Sequence, residues 1–235
     1  MNEFWSGAAS VCLYIIPAAL VMFTARKLIR IPDELFRKIL HFILLGAYIP
    51  FLFAFKTWWH AAGLVASLII ILYPVLALAG HIPAFSPFVN ERRKGEFKHS
   101  MVLALIVMLS SITIGWGLLN DRFLVLASVY AWGVGDAFAA LVGKRFGKHK
   151  IRWKYADRHK SAEGSLAMFV TSVLSVFTVL MIRGGLAPIW CVLVSIVAAA
   201  ACTVVELCTS NGFDTVSCPA TAMVIILPLL KLLGG

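Results

Sequence analysis

The stretch LAPIWCVLVSIVAAAACTVVEL, residues Leu186–Leu207, decides the fold class of this chain. It contains a single charged residue, Glu206, close to its end. An α-helix needs about 20 mostly apolar residues to cross the hydrocarbon core of a bilayer, because it rises only about 1.5 Å per residue. The stretch therefore predicts a transmembrane helix.

Similar apolar segments lie along the whole chain, and the last of them is interrupted by Pro219 and Pro228. They predict an all-α, polytopic membrane helix bundle of seven to eight transmembrane helices. Little sequence is left for a soluble domain, so we expect a single integral membrane domain over residues 1–235. The predicted spans are Trp5–Ala25, Ile39–Phe55, Trp59–Ala79, Met101–Leu119, Phe123–Val142, Ser165–Ile182, Leu186–Leu207 and Thr215–Leu233.

The composition excludes a water-soluble protein. The chain is 61% hydrophobic and 14% charged, whereas soluble domains average about 45–50% apolar and about 25% charged residues. In a soluble protein, a net charge of +10 would indicate a nucleic-acid partner. Here the distribution of the basic residues explains that charge better, and we expect no nucleic-acid partner.

Most of the 21 Lys and Arg residues lie in three alternate loops. Loops rich in Lys and Arg face the cytoplasm in membrane proteins. We therefore expect both termini outside, these loops in the cytoplasm, and any active-site cleft on the cytoplasmic side. The three loops contain Arg26, Lys27, Arg30, Arg37 and Lys38; Arg92, Arg93, Lys94 and Lys98; and Lys144, Arg145, Lys148, Lys150, Arg152, Lys154, Arg158 and Lys160.

Three acidic residues lie where lipid disfavours them. Asp136 is inside the fifth span, Glu206 ends the seventh, and Asp214 opens the eighth. An acid near the middle of a membrane helix costs about 2.5–3.5 kcal/mol on insertion scales, and such residues usually line a cavity or a pathway. The alternatives are a structural hydrogen bond for Asp136 and solvated helix ends for the other two.

Two basic segments flank the loop between the fifth and sixth spans. Gly143–Lys148 combines glycines, which allow close approach of a ligand, with Lys144, Arg145 and Lys148, which bind phosphate or anionic lipid head groups. In the second segment, Ser161 is a predicted N-cap of the sixth span, and Glu163 suits the positive end of that helix. Lys160 beside the same helix start also suits a phosphate.

Charged residues of the other two loops complete the pattern. Arg37, Lys38 and His41 share adjoining faces of the second span, and Arg93 and Glu96 belong to a basic-acidic cluster before the fourth. Each cluster alone is typical of a solvated loop. All of them are predicted on one side of the membrane, together with acids able to hold Mg²⁺, and phosphoryl transfer requires that combination.

The central motifs resemble those of the dolichol kinase and phytol kinase family of CTP-dependent lipid kinases. The similar stretches are Trp132–Gly147, which contains Gly135-Asp136 and the Gly-Lys-Arg-Phe-Gly loop, and Lys160–Ser165. Arg37-Lys38-x-x-His41 and Arg93–Glu96 are also similar to upstream segments of that family. The resemblance implies a membrane kinase that moves the γ-phosphate of CTP to a lipid alcohol such as a polyprenol, dolichol or phytol, with Mg²⁺ as cofactor.

The resemblance also implies roles for individual residues. Asp136 is expected to bind Mg²⁺ or to act as the base for the lipid hydroxyl, and Glu206 and Asp214 to complete the metal site. Arg37, Lys38 and His41 are expected to hold phosphate or to orient the alcohol. Residues expected to bind CTP or to assist the transfer are Lys160, Glu163, Gly143, Lys144, Arg145, Lys148, Ser161, Gly164, Arg93 and Glu96.

The chain departs from the family at its late acidic motif, where Thr215 follows Asp214 in place of Asn. The same central motifs resemble those of CDP-diacylglycerol synthases, which attack the α-phosphate of CTP. Those enzymes have a longer C-terminal signature, which this chain lacks, so the cytidylyltransferase is the second hypothesis. A small transporter that uses Asp136 as a coupling-ion site is the third.

Overall fold

The computed structural model describes residues 2–79, 96–151, 153, 160–209 and 212–234. These residues are almost entirely helical, and the described ranges contain no strand, only an isolated β-bridge between Lys150 and Ser161. The helices are α1 (Asn2–Leu28), α2 (Asp33–Phe53), α3 (Trp58–Ala79), α4 (Glu96–Ser111), α5 (Arg122–Phe146), α6 (Ala162–Arg183), α7 (Pro188–Cys208) and α8 (Asp214–Leu232).

The helices confirm the prediction of an all-α protein with multiple membrane spans. Each predicted span corresponds to one helix, and α4 is extended by a π-helical segment, Ile112–Leu118. Within the described ranges, eight helices are long and apolar enough to cross a membrane. Helix α8 continues through Pro219 and Pro228. The sequence did not decide between seven and eight spans, and this helix is long enough to be the eighth.

The chain forms two compact units, Met1–Asn120 and Asp121–Gly235. We call them the N-terminal unit and the C-terminal unit. The expectation of a single domain over residues 1–235 stays a prediction.

In the N-terminal unit, α1 and α2 form an antiparallel hairpin. At one end, Glu3 Oε1 accepts a hydrogen bond from the Lys56 backbone amide at 3.0 Å. At the other end, Arg26 pairs with Asp33, and Phe23 packs on Phe36 with their ring centres 6.0 Å apart. Polar contacts therefore hold both ends of α1, and the apolar middle of the helix packs along α2.

In the C-terminal unit, small residues let α5 and α6 approach closely. A Cβ atom on Gly164 would lie 2.9 Å from the Ala139 carbonyl oxygen and 3.3 Å from the Gly143 Cα. Ser172 Oγ donates to the Ala131 carbonyl at 2.5 Å across the same interface. Small side chains and interhelical hydrogen bonds drive association where lipid removes the usual hydrophobic advantage. The side of α5 that contains Ala139 and Gly143 is thus an interface with α6.

The two remaining helices pack against this pair. The thiols of Cys202 on α7 and Cys218 on α8 each point to the other's backbone carbonyl, at 3.4 Å and 3.7 Å. At the start of α5, Asp121 accepts a hydrogen bond from the Leu124 amide and pairs with Arg183 at 3.0 Å. The opposite end, where α5 and α7 finish and α6 and α8 begin, contains the ionisable residues considered next.

Candidate functional site

A lysine and a glutamate form the centre of the site in the C-terminal unit. Lys160 Nζ lies 2.7 Å from Glu206 Oε1, with 20% of the lysine side chain and 8% of the glutamate side chain exposed. Nζ also donates to the backbone carbonyls of Glu206 and, at 3.0 Å, Thr209. An ammonium group has three N–H donors, so these acceptors occupy all of them.

These contacts make Lys160 the cap of α7. The carbonyls at the end of a helix have no partners within it, and a positive charge there is favourable because of the helix dipole. Lys160 donates to one carbonyl in the last turn of α7 and to the carbonyl of its C-cap residue, and it neutralises the Glu206 carboxylate. In this arrangement its donors hold the protein together, and its predicted contact with a nucleotide phosphate stays a prediction.

Two further carboxylates lie near this pair. Asp136 on α5 and Asp214 on α8 are both close enough to Glu206 to repel its carboxylate electrostatically. The indole Nε1 of Trp132 lies 3.5 Å from Asp214 Oδ2. Trp132 and Asp136 are four residues apart, which places them on the same face of α5. Two acids, from α5 and α8, therefore lie near the pair of Lys160 and Glu206.

The carboxylate of Glu163 is hydrogen-bonded to groups of the protein itself. It accepts hydrogen bonds from the backbone amides of Lys148 and His149 at 3.2 Å and 3.1 Å, and from His149 Nδ1 at 2.7 Å. Glu163 thereby fastens the segment after α5 to the start of α6. The structural alternative for Glu163 is realised in this arrangement, while its predicted catalytic role stays a prediction.

Ser161 caps α6, as the sequence predicts. Its Oγ accepts a hydrogen bond from the Gly164 amide at 3.2 Å, and its backbone is extended, as expected of an N-cap. Backbone hydrogen bonds from Ile151 to Lys160 and from Ala162 to His149 align the two arms of the loop. Gly143 and Gly164 have a packing role here, because each faces the other across the α5–α6 contact.

The remaining predicted basic residues of this unit form an exposed rim. Lys144 and Arg145 belong to the last turn of α5, and Lys148 follows it. All three are exposed, and the Arg145 guanidinium lies 5.3 Å from the ring centre of Phe146, which is exposed as well. Such a rim suits either nucleotide phosphates or lipid head groups.

Other predicted site residues belong to the N-terminal unit. Arg37 pairs with Glu34 at 2.6 Å, and Lys38, on the same helix, is only 7% exposed. His41 lies beside Phe42, with ring centres 6.5 Å apart. Arg93 lies outside the described residues, and so does the side chain of Glu96 at the start of α4.

The donor set suits Mg²⁺ that arrives with a phosphate. No group of three or more His, Cys, Asp or Glu side chains within the described ranges is arranged to hold a metal ion. Mg²⁺ commonly takes only one or two carboxylates and completes its shell with substrate phosphates and water. Asp136 and Asp214 are carboxylates of the kind that this pattern uses. The metal site of all three acids stays a prediction.

Sequence reasoning missed two participants in this site. Trp132 was part of the motif, but no role was assigned to its indole, although its spacing from Asp136 places both on one face of α5. Thr209, whose carbonyl binds Lys160, gives no sequence signal because any residue supplies a backbone carbonyl.

Comparison of the chain with models of protein families, with curated proteins and with solved structures finds no match.

Proposed function

We propose that this protein is a CTP-dependent kinase that phosphorylates a membrane lipid alcohol, such as a polyprenol, dolichol or phytol. The observation that supports it most is that Asp136 and Asp214 lie near the ion pair of Glu206 and Lys160 in a chain of apolar, membrane-length helices. Phosphoryl transfer needs charge neutralisation and positioning more than covalent chemistry by the protein. The resemblance of Trp132–Gly147 and Lys160–Ser165 to the lipid kinase family adds CTP and the alcohol acceptor.

In this proposal the acids and the basic rim have separate tasks. Asp136 and Asp214 would bind Mg²⁺, and Asp136 is also the candidate base for the lipid hydroxyl. When bound, Mg²⁺ supplies neutralisation of charge on the phosphate oxygens. Lys144, Arg145 and Lys148 would hold the nucleotide phosphates, because they are exposed basic residues at and after the end of α5, the helix that contains Asp136.

Lys160 takes one of two roles in this site. In the first it keeps its bonds to Glu206 and to the end of α7, and so positions that acid. In the second the nucleotide displaces those bonds, and the ammonium group moves to a phosphate. A charge-preserving variant distinguishes these roles, because Lys160→Arg cannot place three convergent donors on one atom. In the first role, the variant should lower the stability of the protein more than its affinity for the nucleotide. In the second role, it should lower the affinity for the nucleotide as well.

The position of the transferred label tests the function. The full chain is purified in lipid nanodiscs and supplied with Mg²⁺, candidate lipid alcohols or diacylglycerol, and CTP labelled at either the α- or the γ-phosphate. A kinase moves the γ-label into the lipid phase and leaves the α-label in the aqueous phase. Transfer of the α-label would overturn the proposal in favour of a cytidylyltransferase.

Two controls separate the remaining outcomes. The Asp136→Asn protein should move neither label, which excludes a contaminating kinase. Absence of transfer by the wild-type chain with every alcohol, together with Asp136-dependent uptake of a solute into vesicles, would support the transporter instead. Competition by unlabelled ATP measures whether the cytosine base is selected.

A further inference from the structure

In the described part of the N-terminal unit, the two terminal nitrogens of the Arg26 guanidinium differ, because one has a hydrogen-bond partner and the other has none. Its Nη2 donates to Asp33 Oδ1 at 2.9 Å, and its Cζ lies 4.0 Å from the centre of the Phe36 ring. Its Nη1 is buried and has no hydrogen-bond partner within the described part of the chain. Folded proteins normally give a buried charged donor a protein, water or ion partner, because leaving it unpaired is costly.

The surrounding charge indicates that the missing partner is an anion. Residues 26–38 contain five basic residues and two acidic ones. Both acids already contact an arginine: Asp33 pairs with Arg26, and Glu34 pairs with Arg37 at 2.6 Å. The positive charge of this segment is therefore larger than its own carboxylates can balance.

The position on the helix indicates an amphiphilic anion. Arg26 lies in the last turn of α1, which is long and apolar enough to cross a membrane. The two residues that end this helix and begin the connection, Leu28 and Ile29, are exposed and aliphatic. A ligand with a charged head and a hydrocarbon tail matches both features, whereas a soluble anion uses only the arginine.

We propose that Arg26 binds a phosphate oxygen of an anionic membrane lipid at the end of α1. A planar guanidinium offers several donors to a phosphate, and basic residues next to a membrane helix recognise anionic lipid head groups. Stacking on Phe36 and the bond to Asp33 hold the guanidinium in a fixed orientation. This site uses none of the residues assigned to CTP or Mg²⁺, so it stands whether or not the chain is a kinase.

Lipid binding by the purified full chain tests this site. Native mass spectrometry counts the lipids retained during titration with phosphatidylglycerol or phosphatidylcholine, at a salt concentration that screens exposed charges. Arg26→Gln should weaken phosphatidylglycerol binding by about fivefold, the effect of one basic residue at an anionic surface. Arg30→Gln, which removes an exposed arginine of the same connection, should bind like the wild type in this salt.

A second variant distinguishes a loss of lipid binding from a folding defect. Arg26→Gln also removes the ion pair to Asp33, and Asp33→Asn removes the charge of that pair while its Oδ1 can still accept the hydrogen bond that orients Arg26. Asp33→Asn should therefore bind phosphatidylglycerol at least as tightly as the wild type. Unchanged binding by Arg26→Gln, equal binding of phosphatidylcholine, or weakened binding by Asp33→Asn would each overturn the proposal. Displacement of the lipid by excess inorganic phosphate would assign the site to a soluble phosphate, and it would overturn the proposal of a lipid ligand.

Discussion

Lys160 Nζ lies 2.7 Å from Glu206 Oε1 and also binds two carbonyls at the end of α7. A contact between residues so far apart in sequence joins the start of α6 to the end of α7. It also sets part of the charge of the site, since Lys160 balances the carboxylate of Glu206. The stability of the C-terminal unit and the charge of its site are therefore coupled through one side chain.

The first prediction concerns this pair. Lys160→Met leaves Glu206 buried without a counter-charge, and it should lower the free energy of unfolding by about 3 kcal/mol, as measured for broken buried pairs. Lys160→Met combined with Glu206→Gln should cost less than the sum of the single changes. Thermal unfolding in one detergent measures all three variants, and additive costs would show that the two residues do not interact.

The second prediction concerns Asp136. Asp136→Asn keeps the volume of the side chain and removes its charge, so the protein should fold while turnover falls by about 100-fold or more, the loss typical of one essential polar contact. The matched control is Asp121→Asn, at the N-cap of the same helix, which keeps the Oδ1 acceptor for the Leu124 amide and removes the charge that pairs with Arg183. That control should lower the melting temperature and keep turnover. Near-normal turnover of Asp136→Asn would make this acid structural.

A third prediction separates a structural from a catalytic Glu163. Glu163→Gln keeps an acceptor but loses the charge that binds the Lys148 and His149 amides. Hydrogen exchange at those two amides should become faster. If Glu163 is structural, turnover should fall only because the loop is held less firmly. Ser161→Ala, which removes the adjacent N-cap, should cost about 1 kcal/mol of stability without the same change at His149. Lost turnover with unchanged exchange would instead identify Glu163 as catalytic.

The fourth prediction concerns the α5–α6 interface. Gly164→Ala places a methyl group 2.9 Å from the Ala139 carbonyl oxygen, and overpacking of this kind costs about 1–3 kcal/mol. Gly63→Ala is the matched control, because a Cβ there meets nothing within 4 Å. It should be neutral or slightly stabilising, since alanine favours a helix over glycine. Equal melting temperatures of the two variants would argue against the close contact of Gly164 with α5.

The fifth prediction concerns orientation in the membrane. In a background without the native cysteines, Lys56→Cys and Ala187→Cys should react with an impermeant thiol reagent added outside intact cells. Lys148→Cys should react only after the membrane is opened, because the positive-inside rule places its loop in the cytoplasm. All three positions are exposed on the protein surface, so accessibility depends on the membrane. The reverse labelling pattern would invert the proposed topology and remove the cytoplasmic CTP site.

Local and periodic features could be read directly from the sequence. Each of the eight described helices follows from a mostly apolar stretch of about 20 residues, because the bilayer selects for length and hydrophobicity along the chain. The N-cap at Ser161 could be predicted as well, since an N-cap satisfies amides of the turn that follows it. Small residues of α5 such as Gly135 and Gly143 favour close helix packing, but they do not by themselves identify Gly164 as the partner of Gly143.

The polar partners of the site depended on the tertiary structure. The segment Lys160–Ser165 left Lys160 and Glu163 open to either a phosphate or a structural role, because no local pattern tells which acceptors a long side chain will reach. Packing of α6 beside α7 brings Lys160 to the last carbonyls of α7, and the returning loop brings two amides to Glu163. Trp132 and Asp214 meet only because α8 packs against α5. Apolar periodicity determines which segments cross the membrane, whereas the pairing of buried charges is decided by which helix ends come together.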